Sequence, residues 1–196
     1  VLSAQKSFVK IAKDNNIEVD VLISKKLNDV KNSTHIVLPG QGAFSTCMNG
    51  LKKTDGLIDE LCEFALIKKK PFLGICVGMQ MLANISEENG DHEGLGWIDG
   101  QIKLLPERNL KLPHMGWNLV MPTNSKYNNL ISTKNDYYFV HSYYFECADK
   151  DNILAETKYG INFASIVGKE NIYGVQFHPE KSSSQGLNLL EEFISI

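Results

Sequence analysis

PFLGICVGMQ, residues 71–80, decides the fold of this chain. Pro71 opens the stretch, residues 72–75 form a short apolar run, and Cys76 stands between Gly74 and Gly78. A buried strand that turns into a helix through G-x-C-x-G is the thiol form of a nucleophile elbow. The nucleophile of such a turn sits in a strained backbone conformation. The glycines two residues to either side let strand and helix approach where a Cβ would clash. The helix that follows, with apolar Met79, Met81 and Leu82, is expected to aim its N-terminus at the thiol and favour the thiolate. The amide of Val77 is then a candidate oxyanion donor. Taken alone, the turn fits a buried structural thiol equally well.

Upstream of the elbow, DGLIDELCEFALIKKK (55–70) reads as a helix, with acidic residues at its start, lysines at its end and Leu57, Ile58, Leu61, Ala65 and Leu66 as its buried stripe. Before it, THIVL (34–38) has the β-branched, continuously apolar character of a buried parallel strand. That strand should end in the turn Pro39-Gly40-Gln41-Gly42, where Gly40 and Gly42 free the Gln41 peptide to present an amide to a second oxyanion position. EVDVLI (18–23) alternates and reads as a strand. Residues 2–15 read as an amphipathic helix with Phe8, Val9, Ile11 and Ala12 inward.

Downstream the pattern changes to short strands at 101–105, 118–121, 137–145, 163–167 and 172–177, closed by a helix over 185–196. Alternating strands and helices in the first half predict an α/β fold, a mainly parallel central sheet flanked by helices. The second half should extend that sheet with antiparallel strands, and residues 1–196 are expected to form a single domain.

The strand at 172–177 leads into His178-Pro179-Glu180. In extended structure residues two apart emerge on one face, so His178 and Glu180 would meet there, with Pro179 holding the backbone extended. A carboxylate beside an imidazole selects its tautomer and stabilises the imidazolium. Cys76, His178 and Glu180 then supply nucleophile, base and orienting acid.

The composition narrows the classes. A net charge of −3 leaves no basic footprint for nucleic acid, and no apolar run approaches the length of a membrane span. None of the four cysteines lies in a CxxC pair, which argues against a zinc ribbon and fits free thiols in a reducing cytoplasm. His114 and His141 invite a metal reading, but no third ligand has suitable spacing. Neither metal nor cofactor is expected.

PGQGAF (39–44), GICVGMQ (74–80) and FHPEKS (177–182) together resemble the three signatures of the class I (triad) glutamine amidotransferases. LPHMGWN (112–118) and YYFVHSYYF (137–145) narrow the likeness to the glutaminase subunits of imidazole glycerol phosphate synthase. The resemblance implies a flavodoxin-like fold and hydrolysis of L-glutamine through a Cys76 thioester. It also implies transfer of ammonia to a (β/α)8 cyclase of the HisF type in a heterodimer. It implies oxyanion donors at Val77 and, after a rearrangement of the turn, at Gln41, glutamine recognition by Gln80, Ser142 and Tyr143, and a partner-facing position for Trp117, Asn118 and Lys181. One departure stands out. The family opens with an apolar strand and a Gly-Asn turn, whereas here Val1 already reads as the start of the first helix. That strand is therefore expected to precede residue 1. Three other readings compete: a paralogue feeding ammonia to a sugar-modifying synthase, an elbow-cysteine hydrolase of another family, and a non-catalytic scaffold.

Overall fold

The computed structural model describes residues 1–106 and 110–196. In chain order the first half contains α1 (Leu2–Asp14), α2 (Leu27–Asn32), β1 (Ile36–Gly40), α3 (Phe44–Lys52), α4 (Leu57–Cys62), β2 (Phe72–Cys76) and α5 (Val77–Gln80). The second half contains β3 (Ile85–Ser86), β4 (His92–Glu93), β5 (Gly100–Leu104), β6 (His114–Pro122), β7 (Asn135–His141), β8 (Tyr143–Cys147), β9 (Ile153–Tyr159), β10 (Ile161–Lys169), β11 (Ile172–Val175) and α6 (Ser183–Ile194).

The main sheet runs β1-β2-β11-β10-β8-β5-β3-β4. β1, β2 and β11 are parallel, and β10 pairs antiparallel with β11, which is the expected antiparallel extension. β9 pairs with β10 and with β6, and β6 pairs with β7. Phe72 to Cys76 is buried along its whole length because β2 is central, which explains its unbroken apolar sequence. One apolar cluster joins α1 through Phe8 and Ile11, the β2 strand, and α6 through Leu189, Leu190 and Phe193.

Register sets the site. Gly40 lies opposite Cys76, and Ile75 lies opposite Val175. The carboxyl ends of β1, β2 and β11 therefore finish side by side, where ligands bind in open α/β sheets.

Several expectations need correction. Residues 17–26 form no strand, and Val19, Leu22 and Ile23 are 41%, 67% and 52% exposed. Alternation alone does not make a strand, which also needs a neighbour to take its amides and carbonyls; here the Val21 carbonyl accepts from the Gln5 side chain at 3.0 Å instead. Val9 points outward at 51% exposure, so the buried stripe of α1 is Ala4, Phe8, Ile11 and Ala12. Pro39 and Gly40 belong to β1, so the expected turn begins later than Pro39. The helix expected over 55–70 changes at Glu63–Ile67 into a π-helical turn. Helix α3 and strand β9 were not anticipated. Among the described residues no helix is long and apolar enough to cross a membrane.

Candidate active site

The elbow is built as its glycines require. Cys76 has φ 56° and ψ −114°, a left-handed conformation that costs an L residue energy. A Cβ on Gly74 would lie 2.5 Å from the Gly78 carbonyl oxygen, and one on Gly40 would lie 2.6 Å from the Gly78 nitrogen. Gly40 thus serves close packing of β1 against the elbow, and Gly42, with φ +87°, supplies the turn beyond the strand. Gln41 between them is exposed, and its carbonyl accepts a bond from the Cys47 thiol at 3.3 Å.

The helix after the elbow differs from expectation. α5 is one turn, four residues long, so few peptide dipoles align behind the thiol. Val77 is its first residue, and its amide needs no partner within the helix. A donor to the thiol comes from elsewhere: Gln176 Nε2 reaches Cys76 Sγ at 3.8 Å.

His178 and Glu180 meet, though not by extension. Pro179–Lys181 is a 3₁₀ turn with proline at its start, and the turn brings Glu180 Oε1 to 2.9 Å from His178 Nδ1. Proline suits that position because its fixed φ is helical and its missing N–H would have no partner there. The carboxylate holds the proton on Nδ1 and leaves Nε2 for the thiol. The backbone is held from two sides: His178 N donates to the Tyr138 carbonyl at 2.9 Å, and Ser182 Oγ donates to the His178 carbonyl at 2.7 Å. Ser182 Oγ also accepts from the Tyr138 amide at 3.0 Å, so β7 anchors the turn.

Burial disfavours the His178 imidazolium, but hydrogen bonds and charge from Cys76 and Glu180 outweigh it and raise the group to about 9. Burial likewise raises Glu180, and the His178 hydrogen bond and charge overcome it, leaving the carboxyl below its usual range. The site thus sets an imidazolium and a carboxylate beside the Cys76 thiol. Nucleophile, proton carrier and orienting acid in this array can perform acyl transfer from an amide.

Of the other expected residues, Gln80 is buried, and its Nε2 donates to the Tyr143 carbonyl and to Gln176 Oε1, both at 3.1 Å. Ser142 breaks the chain between β7 and β8, and its carbonyl accepts from the Leu105 amide. Lys181 ends the turn and is exposed. Trp117 and Asn118 lie on opposite faces of β6: Trp117 is 54% exposed, while Asn118 turns inward to His114 at 3.1 Å. The His114 and His141 nitrogens bond each other, Asn118 and the Tyr143 carbonyl. Gln176 and Ser182 were missed as site residues. Gln176 had a signal, since it is a polar residue in an apolar strand run, two before His178.

The family model described as Glutamine amidotransferase class-I matches residues 2–196. Imidazole glycerol phosphate synthase subunit HisH of Pelagibacter ubique is 43% identical, covering 100% of this chain and 94% of the relative. Subunit HisH 2 of Methanococcus maripaludis is 46% identical, covering 91% and 88%. The crystal structure of a glutamine amidotransferase superposes with TM-score 0.70 at 16% identity, covering 97% of this chain and 92% of the other, and so shares the fold.

Proposed function

The chain belongs to the class-I glutamine amidotransferase family, and from that premise we propose that it is the glutaminase subunit of an imidazole glycerol phosphate synthase in histidine biosynthesis. The carrying observation is the strained Cys76 elbow facing a His178 that Glu180 orients at 2.9 Å.

Cys76 Sγ attacks the side-chain carboxamide carbon of L-glutamine, and the developing oxyanion is held by the amides of Val77 and, after a rearrangement of its turn, Gln41. His178, as imidazolium, gives its proton to the departing nitrogen, so ammonia leaves and a γ-glutamyl thioester forms. Neutral His178 then takes a proton from water, which opens the thioester to glutamate and regenerates the thiolate. Gln80, Ser142 and Tyr143 receive the substrate head group. Ammonia passes to a HisF-type (β/α)8 cyclase, and the pair works as a heterodimer in the cytoplasm. The sequence likeness to HisH subunits supports this partner, and the exposed Trp117 and Lys181 supply surface for it.

The test is glutamine hydrolysis by the purified chain with and without a HisF-type cyclase and its nucleotide ligand. Strong stimulation supports the assignment. Basal hydrolysis without stimulation keeps the glutaminase and points to another synthase, such as a sugar-modifying one. Complementation of a histidine auxotroph separates the two pathways. Cys76→Ser should abolish glutamine-dependent synthesis by the complex and spare synthesis from ammonium salts, and loss of both would make Cys76 structural.

A further inference from the structure

One unbroken path of hydrogen bonds runs behind the nucleophile. Gln176 Nε2 donates to Cys76 Sγ at 3.8 Å, and Gln176 Oε1 accepts from Gln80 Nε2 at 3.1 Å. The same Gln80 nitrogen donates to the Tyr143 carbonyl at 3.1 Å. That carbonyl also meets His141 Nδ1 at 2.8 Å. His141 Nε2 lies 2.8 Å from His114 Nδ1, and His114 Nε2 lies 3.1 Å from Asn118 Nδ2. Asn118 Nδ2 also donates to the Lys158 carbonyl at 3.1 Å, and its Oδ1 accepts from the Leu119 amide at 2.8 Å.

Two arms meet as donors on the Tyr143 carbonyl, one from Gln80 and one from His141. A carbonyl only accepts, so His141 carries its proton on Nδ1. Burial keeps both imidazoles neutral, pushing His141 down to about 3 and His114 down to about 4. Neutral His141 accepts at Nε2, so His114 donates from Nδ1 and accepts from Asn118 at Nε2. Gln176 is 0% exposed, Gln80 and His114 are 3% and His141 is 6%, so a reversed link leaves a buried group without a partner.

The consequence falls on Gln176. An isolated carboxamide turns over at little cost, and turned over it would face Sγ with an oxygen that repels a thiolate. The Gln80 donor forbids that flip, because it requires the oxygen where it stands. We propose that Gln176 is a positioning residue for the Cys76 thiolate, held in its donating orientation by Gln80, whose own amide the Tyr143 carbonyl fixes in turn. This rests on the reading of Cys76 as the nucleophile and adds residues that stabilise it before any substrate binds.

The titratable groups that act on the thiol from its surroundings are His178 and Cys47, and both stay unchanged in the test. The experiment is the pH dependence of Cys76 carbamidomethylation by iodoacetamide in the full chain, resolved by peptide mass from the other three cysteines. Gln176→Met keeps the length of the side chain and removes the donor. It should raise the midpoint by about one pH unit, the scale of one hydrogen bond to a charged group. Gln80→Leu removes the donor that fixes the Gln176 oxygen. It should move the midpoint the same way by less, with thermal melting confirming a folded chain. An unmoved midpoint in folded Gln176→Met overturns the proposal. An unmoved midpoint in Gln80→Leu also overturns it, and decides alone if Gln176→Met does not fold. Alkylation needs neither partner nor turnover. A chain that hydrolyses no glutamine yet shows both shifts keeps this proposal and loses the glutaminase assignment, and the reverse pattern does the opposite.

Discussion

His178 and the His114–His141 pair are almost equally buried, at 4%, 3% and 6% exposure, yet they titrate in opposite directions. His178 rises to about 9, while His114 falls to about 4 and His141 to about 3. Burial pushes all three down and leads the fall of the pair, so burial does not make the difference between them. The partners do: His178 faces a carboxylate and a thiol, whereas His141 faces a neutral carbonyl and another imidazole. The same residue type thus gives a proton carrier in the turn after β11 and a rigid neutral link between β6 and β7.

The contrast breaks hardest at His178. His178→Ala should lower glutamine-dependent turnover at least a hundredfold in the complex while sparing ammonium-dependent synthesis, given the usual size of a general acid–base contribution. Turnover retained above about a hundredth of wild type would remove His178 from the proton-transfer role.

Glu180→Gln sharpens the same side. The imidazolium that protonates the leaving nitrogen is present below about 9, so glutaminase kcat/KM should fall as pH rises through that value. Removing the carboxylate removes a force that raises His178, so this alkaline limb should move to lower pH and activity at pH 8 should drop about tenfold. An alkaline limb unmoved in Glu180→Gln would assign it to another group.

Stability tests the neutral side. His141→Phe leaves the His114 Nδ1 donor without its acceptor in a buried setting, a loss of about 2 kcal/mol in chemical denaturation at pH 7. The two sites also have opposite pH signs. The folded values of His114 and His141 lie below the unfolded 6.5, so their contribution is present above 6.5 and is lost as pH falls toward 4. His178 is raised, so its contribution is complete below 6.5 and is lost as pH rises through about 9. Melting temperature should decline on both sides. His141→Phe should flatten the acid limb and spare the alkaline one, whereas His178→Ala should flatten the alkaline limb and also soften the acid limb, because the Glu180 carboxyl loses the imidazolium that lowers it.

The catalytic side of this contrast was legible in the sequence because its geometry is local. Two glycines at fixed spacing report the elbow, and a proline between His178 and Glu180 reports a backbone held in place, although it holds a 3₁₀ turn and not a strand. The neutral side was not legible because it depends on register: His114 meets His141 only because β6 pairs antiparallel with β7 with those two residues opposite. Helix α3 was hidden for a similar reason. Its sequence, FSTCMNGLK, carries serine, threonine, asparagine and glycine, and its first amide is satisfied by the Glu88 carboxylate at 2.6 Å from across the fold. The strand expected at 18–23 shows the converse, since a clean alternation found no neighbour to pair with.

The smallest expected effect lies on β6, where neighbouring residues belong to different environments. Met115, Trp117, Leu119 and Met121 are all exposed on the outer face, and His114, Asn118 and Val120 alternate with them on the inner one. Trp117 meets Tyr138 edge to face at 6.2 Å, with little else to lose on truncation. Trp117→Ala should therefore change the stability of the isolated chain by less than about 0.5 kcal/mol and leave the acid limb of its melting curve in place. Asn118→Ala, one residue on, removes a donor to His114 and should cost about 1 kcal/mol. If the two substitutions cost the same, the inner face of β6 is not the ordered end of the histidine pair.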